Sequence, residues 1–310
     1  MGPPHDAFRK CSENRIHWEQ GTVYDLSWSS DGTLLTAAGS KGPVRSWRLG
    51  RGGHKEGEEH RGLGDGIERL AWCPAAQCAH VLAAAEYEKT VHLWDQRSGG
   101  AAARLATGRP VSDVRWSPDG RFLAVAARDE GIDVFDPAQP LAPVFSADAG
   151  ATVEAAAWSA DARLLLLATH AGAVEAFAWP TMEHVTAIPA HTAACNALAV
   201  DPRGGLLATG SNDATLELWS ADDLSLAHTI AAHDSPLMFA GFSMDGRFVA
   251  SASDDPELRI HDTFSAELAH SLPLDAMATA LEWHPRNLAL AYGTSASSKT
   301  AGKPALTVFL

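Results

Sequence analysis

Read as a pattern of apolar and polar positions, the chain repeats one short phrase seven times. It runs LSWSSDG at 26–32, LAWCP at 70–74, VRWSPDG at 114–120, AAWSAD at 156–161, LAVDPRG at 198–204, AGFSMDG at 240–246 and LEWHP at 281–285. The large residue of each phrase falls at 28, 72, 116, 158, 200, 242 and 283, at intervals of 44, 44, 42, 42, 42 and 41. Apolar alternation running into Pro, Asp and Gly predicts a strand that enters a tight turn. After each turn comes a run of small apolar residues, such as FLAVA at 122–126, LLAT at 206–209 or FVASA at 248–252. Such runs predict a second strand covered on both faces. A short polar turn then leads to a third strand ending in a ring: Trp47, Trp94, Phe135, Phe177, Trp219, His261 and Phe309. The ring stands 19 residues after the large residue of the phrase in five of the seven repeats. The second and seventh repeats are longer by loop insertions, the last of them a polar stretch around Ser295 to Lys303.

Three strands, with a fourth in the linker to the next repeat, make the 40–45-residue unit of a WD40 propeller. Trp94-Asp95 is the one intact Trp-Asp dipeptide. A four-stranded sheet of this size is marginal alone, so the sheets must stack around a ring. The fold class is therefore all-β, a seven-bladed WD40 β-propeller, read as a single domain over 1–310. The blade phrases lie near 23–47, 67–94, 111–135, 153–177, 196–219, 237–261 and 279–309. The C-terminal end is the third strand of the seventh blade. Its missing outer strand must come from 13–20, near Arg15 and Trp18, which pairs the two ends of the chain and removes an exposed edge. The Gly- and charge-rich stretch from Gly50 to Gly66 occupies the place of an outer strand and its loops, and by composition reads as a mobile insertion.

Composition changes the picture in two ways. With 46% hydrophobic residues and ten tryptophans the chain can bury an ample core. Its 38 acidic against 24 basic side chains leave a formal charge of −14, a mean field that repels phosphate backbones and anionic lipids. Direct nucleic-acid and membrane partners are not expected. The N-terminal residues lack the basic and apolar stretches of a signal peptide, and no apolar run approaches a membrane span, so a soluble intracellular protein is expected.

The motifs of catalysis are missing. No HExxH, GxSxG, P-loop or GxGxxG phrase occurs, so no catalytic residue, cofactor or metal is expected. Cys11, Cys73, Cys78 and Cys195 are few and irregularly spaced, which fits buried or incidental thiols in a reducing compartment. Cys73 and Cys78 lack a second ligand pair at zinc-site spacing. His54 and His60, inside the charged insertion, read as solvated loop residues. His191, Thr209, Asp213 and Trp219 could be mistaken for a nucleophilic triad with a neighbour. Their places in the fifth repeat fit a buried structural network, and His233, Asp255 and His261 repeat it in the sixth, which argues for architecture. The residues opening the turn between second and third strands are Tyr87, Arg128, His170, Asn212 and Asp254 in blades 2 to 6. In a ring they converge on one mouth of the central channel, a candidate partner surface.

From about Val23 to Leu310 the chain resembles the family of WD40 subunits of the THO complex (subunit 3, or Tex, family), the nuclear assembly that couples transcription to mRNA packaging and export. The similarity lies in ordered, irregular phrases. They are WPTMEHV at 179–185, AHTAAC at 190–195, DPRG at 201–204, ATGSNDA at 208–214, FSMDG at 242–246, ASASDD at 250–255 and EWHP at 282–285, the last followed by a polar insertion. The resemblance implies a nuclear, non-catalytic scaffold bound to large helical THO subunits within a hetero-oligomer. Other interaction modules remain open, namely a ubiquitin-ligase substrate receptor or a histone reader. Direct RNA binding is disfavoured by the charge.

Overall fold

The computed structural model describes residues 7–8, 11–50, 53–60, 63, 66–87, 89–139, 142–231, 233–295 and 305–309. Seven four-stranded antiparallel sheets follow one another along the chain. Each runs from an inner strand through second and third strands to an outer one. The inner strands are Val23–Trp28, Ile67–Trp72, Val111–Trp116, Val153–Trp158, Cys195–Val200, Leu237–Phe242 and Ala278–Trp283. These are the seven phrases, and their contacts run from each to the next and from the last to the first. The chain is all-β and seven-bladed.

Closure is as the sequence requires, over a shorter segment. Glu13–Ile16 pairs antiparallel with Leu306–Phe309, so an N-terminal strand completes the blade built from the C-terminal end. The pairing stops at Ile16. Trp18 leaves the sheet and is buried with Val23, Trp28, Trp47 and Leu306, at the seam between blades 7 and 1. Phe8 adds a second anchor, buried against Phe248, His270 and Phe309 with ring centroids 4.9, 5.4 and 5.9 Å apart. Arg15 meets Asp275 at 2.7 Å.

Small side chains in the second strands let blades approach. The strands Leu34–Gly39, Leu123–Ala127 and Phe248–Ser253 are buried at every residue. The rings ending the third strands are all buried as well, from Trp47 to Phe309, with His261 among them. The inner-strand tryptophans then fasten blade to blade. Trp116 Nε1 donates to the Ala71 carbonyl at 2.9 Å, Trp158 to Arg115 at 3.1 Å, Trp283 to Gly241 at 2.9 Å and Trp28 to Glu282 at 3.4 Å. In each case the acceptor is the residue before the equivalent position of the preceding blade, and the bond from Trp28 crosses the closing seam. Trp72 departs from the rule and donates to Thr36 Oγ1 at 2.8 Å.

Three expectations are corrected. The stretch from Gly50 to Gly66 contains the outer strand of blade 1, Gly53–Glu59, paired with the third strand and held by Arg45 on Glu59 at 2.6 Å. It is an ordinary strand with unusual composition, because an outer strand needs backbone pairing more than buried side chains. His60 is not solvated: it is buried, bonds Ser46 at 2.6 Å and lies against Trp94 with ring centroids 4.0 Å apart. Burial holds its pKa down to about 4. The side chain of His54 lies outside the described residues, as do Ala296 to Lys303. Finally, Cys73 and Cys78 are joined as a disulfide across the turn of blade 2, where sequence spacing had suggested separate thiols. Cys195 is a buried free thiol and Cys11 a half-buried one.

Candidate functional site: the mouth of the channel

Every inner strand carries a β-bulge at its second residue, between Val23 and Asp25 in blade 1 and at the equivalent place in the other six. A bulge inserts one unpaired residue and re-aims it. The seven re-aimed residues are Tyr24, Glu68, Ser112, Glu154, Asn196, Met238 and Thr279. They sit beside the turns opened by Tyr87, Arg128, His170, Asn212 and Asp254, and the two sets meet. Arg128 lies 5.6 Å above the Tyr87 ring and 3.6 Å from Glu68. His170 Nδ1 is 2.9 Å from Glu154, and Asn196 donates to Asn212 at 2.7 Å and to the Leu237 carbonyl at 3.0 Å. Tyr87 and Met238 are 51% and 39% exposed, and Asp254 is exposed, with no side-chain hydrogen bond or ion pair found for it among the described residues. The bulge residues were missed in the sequence reading, although each follows the first apolar residue of its strand.

Behind this rim a cavity of about 300 Å³ is lined by bulge residues and by inward groups of the next turn: Asp25, Arg69, Asp113, Arg115 and Glu282. Three of these carboxylates accept backbone N–H groups of the following blade: Asp25 from Leu70 at 2.8 Å, Asp113 from Ala156 at 3.0 Å and Glu282 from Trp28 at 2.7 Å. They close the ring from within. Burial, then the neighbouring charge of Asp25, pushes the Glu282 carboxyl well above its usual range. The opposite end of the channel opens into a wider cavity of about 500 Å³, walled by Trp116, Trp158, Phe242 and Trp283 with Pro74, Pro118 and Pro202. Its indole N–H groups are already spent on inter-blade bonds, and its charged side chains Arg115, Asp201 and Glu282 are engaged with Asp113, the Arg203 and Gly205 N–H groups and the Trp28 N–H. The bulged mouth is therefore the better candidate.

The blade 5 network ties two mouth loops together. The His191 side chain is fully buried, with Nδ1 3.2 Å from Asp213, Nε2 2.8 Å from Thr209 Oγ1, and Trp219 Nε1 donating to that hydroxyl at 3.1 Å. A carboxylate can only accept, so Nδ1 carries the proton and Nε2 accepts from Thr209. Burial holds the imidazole below its ordinary pKa despite the Asp213 charge. Blade 6 repeats the geometry 42 residues on, with His233 at 3.2 Å from Asp255 and 3.0 Å from Ser251. His261 stands in the place of Trp219, with its Nδ1 unpartnered. Thr209 is itself 1% exposed and covered by two rings, a position no substrate reaches without unfolding the blade. Among the described residues no group of three or more His, Cys, Asp or Glu side chains is placed to hold a metal.

The WD40 model (WD domain, G-beta repeat) matches at residues 10–47, 104–136, 182–220 and 224–262. The chain is a seven-bladed WD40 propeller. Each match of this propeller starts in or near an outer strand and ends on the third strand of the next blade, so the sequence repeat is offset by one strand from the blade. That offset is why the first match begins before the closing strand. Among curated proteins the propeller is similar to THO complex subunit 3 of Arabidopsis thaliana, 28% identical over 92% of this chain and 90% of the relative. It is also similar to WD repeat-containing protein AAC3 of Dictyostelium discoideum, 27% identical over 97% of this chain and 67% of the relative. A human serine-threonine kinase receptor-associated protein is 26% identical over 64% of this chain and 54% of its own length. The sequence is THO subunit 3-like.

Proposed function

We propose that this propeller is a non-catalytic scaffold subunit of a nuclear THO-type complex coupling transcription to mRNA packaging and export, with the whole chain acting as one domain. The observation that carries the reading is likeness to THO complex subunit 3 over nearly the full length of both chains. The mouth supports it in kind. A rigid ring with an exposed Tyr, an Arg over it and an exposed carboxylate at Asp254 has the composition of a protein contact. The charge of −14 favours partner proteins over direct RNA contact. Partners are large helical THO scaffold chains, contacted through about 1,200 Å² or more of buried surface.

The test is affinity purification of the tagged full-length protein from nuclear extract, with identification of co-purifying chains. Stoichiometric recovery of large helical THO chains is expected. Recovery instead of ubiquitin-ligase subunits or histones, with no THO chain, would replace this reading with one of the other scaffold roles.

A further inference from the structure

We propose that the end of blade 6 opposite the mouth is a second docking surface, where the Phe264 ring enters an apolar pocket of a partner protein bordered by lysine or arginine. This rests on the scaffold reading and adds a surface separate from the mouth. Phe264 is 91% exposed, on the turn that joins the third strand of blade 6, Glu257–Asp262, to the outer one, Leu268–Pro273. The same place, three residues past the ring that ends the third strand, holds Arg97, Ala138, Pro180 and Asp222 in blades 2 to 5. The backbone beneath Phe264 is fixed. Thr263 is buried and donates from its N–H to the Arg247 carbonyl at 2.9 Å and from its hydroxyl to the Gly246 carbonyl at 2.8 Å. The Asp262 carboxylate accepts the Phe264 and Ser265 N–H groups at 3.0 and 3.2 Å. An aromatic held in water on a fixed turn is a preformed anchor.

The surroundings define what the anchor enters. A lone exposed apolar residue means little, but Met244, on the adjoining turn of the same blade, and Leu268, which starts the outer strand, are exposed as well. Ala266 packs into the core shared by blades 5 and 6, which sets this turn beside that of blade 5. Asp222 and Asp223 on the blade 5 turn and Glu267 next to Ala266 are exposed carboxylates. The cations of the neighbouring turns are directed elsewhere. Arg247 bonds Asp262 at 3.4 Å and lies over the Phe248 ring, Arg203 lies 4.0 Å from Asp201, and Arg286 donates to the Ser30 carbonyl of blade 1. An apolar anchor within an acidic border calls for an apolar pocket within a basic one. A second copy of this chain would set the same carboxylates against one another, and an anionic membrane would be repelled.

The experiment places a photoreactive phenylalanine analogue at position 264 of the tagged full-length protein in nuclear extract. Alongside, it compares co-purification by the wild type, by Phe264→Ser and by the double variant Asp222→Lys, Glu267→Lys, with melting temperatures taken on the same preparations. One partner chain is expected to crosslink at 264 and to be recovered at least about tenfold less by both variants. Both should melt within a few degrees of the wild type, because all three side chains are exposed. The mouth variant Tyr87→Ala, Arg128→Glu should keep that chain. Unchanged recovery with Phe264→Ser, loss with Phe264→Ser but not with the charge reversals, crosslinks only to a second copy of this chain or to lipid, or loss of the same chain with the mouth variant each overturn the proposal. The partner is scored by its dependence on position 264 and not by its identity, so the two readings fail separately. An unchanged set of chains with the blade 6 variants, THO chains among them, removes only this inference, and a chain that meets all three criteria with no THO chain present removes only the assignment of the assembly.

Discussion

At the scale of single residues, the buried polar groups decide most. His261 occupies the place that Trp219 fills in blade 5, and burial holds its imidazole down to about 4 against an ordinary 6.5. The unfolded chain therefore binds a proton that the folded chain refuses between those two values. Stability is full above pH 6.5 and falls as pH drops toward 4, by up to about 3 kcal/mol from this residue. His261→Trp should make the melting temperature fall less between pH 7 and pH 4.5 than in the wild type, while His60 keeps its own share of the dependence; an unchanged slope would contradict the burial of His261. Asp213→Ala leaves His191 Nδ1 only the Thr215 hydroxyl at 3.2 Å and takes the side-chain acceptor from the Thr192 and Thr215 backbone N–H groups, and should cost about 1–3 kcal/mol in a denaturant melt; an unaltered midpoint would mean the network is not sealed. Ala162 holds φ +57°, where Gly32, Gly120, Gly204 and Gly246 serve the equivalent turns. Ala162→Gly should raise stability by about 0.5–1 kcal/mol, read as a higher melting temperature. His191 and Asp213 were legible because a 42-residue shift lands on His233 and Asp255. His60 was not, since its charged neighbours masked a strand whose end turns inward to Ser46.

At the scale of elements, the inner, second and third strands could be read from the sequence because each must fit two neighbours at once. Both faces of the second strand are covered, which restricts it to small apolar residues, and the third strand must end in a ring that fills the gap between blades. Outer strands carry no such demand. Glu183–Ile188 and Leu226–Ile230 bury only their last residue fully, and Gly53–Glu59 is held by pairing with the third strand and by one ion pair. Backbone pairing leaves little trace in composition, so these strands were placed only by elimination, and the closing strand was drawn four residues too long. Its energetic role is clearer than its limits. Removing residues 1–20 deletes Phe8, Ile16 and Trp18 from two seams and exposes the Leu306–Phe309 edge. Such a truncation should lose several kcal/mol, on the order of the whole stability of an ordinary domain. Circular dichroism melts of the truncated and full-length proteins check this, and coincident curves would mean that the ring closes by other means.

At the scale of the whole molecule, the ring is closed three times over: by the N-terminal strand, by Trp28 on the Glu282 carbonyl, and by the Glu282 carboxyl on the Trp28 N–H. Rigidity of this kind limits the entropy lost on binding, which suits a ring that holds partners through a fixed rim. The repeat announced the ring in the sequence, while the bulges that shape its mouth were overlooked there, although the step of three residues from Val23 to Leu26 before the step of two to Trp28, repeated in each inner strand, breaks the alternation at the bulged residue. The account stands or falls on that mouth being the surface that assembles. The most direct measurement compares co-purification of THO scaffold chains by the wild type and by the double variant Tyr87→Ala, Arg128→Glu, with melting temperatures taken on the same preparations. The variant should melt within a few degrees of the wild type, since neither side chain is buried, and should recover at least about tenfold less scaffold. Full recovery by a variant that melts normally would contradict the claim and move the interface to the side or the opposite face of the ring.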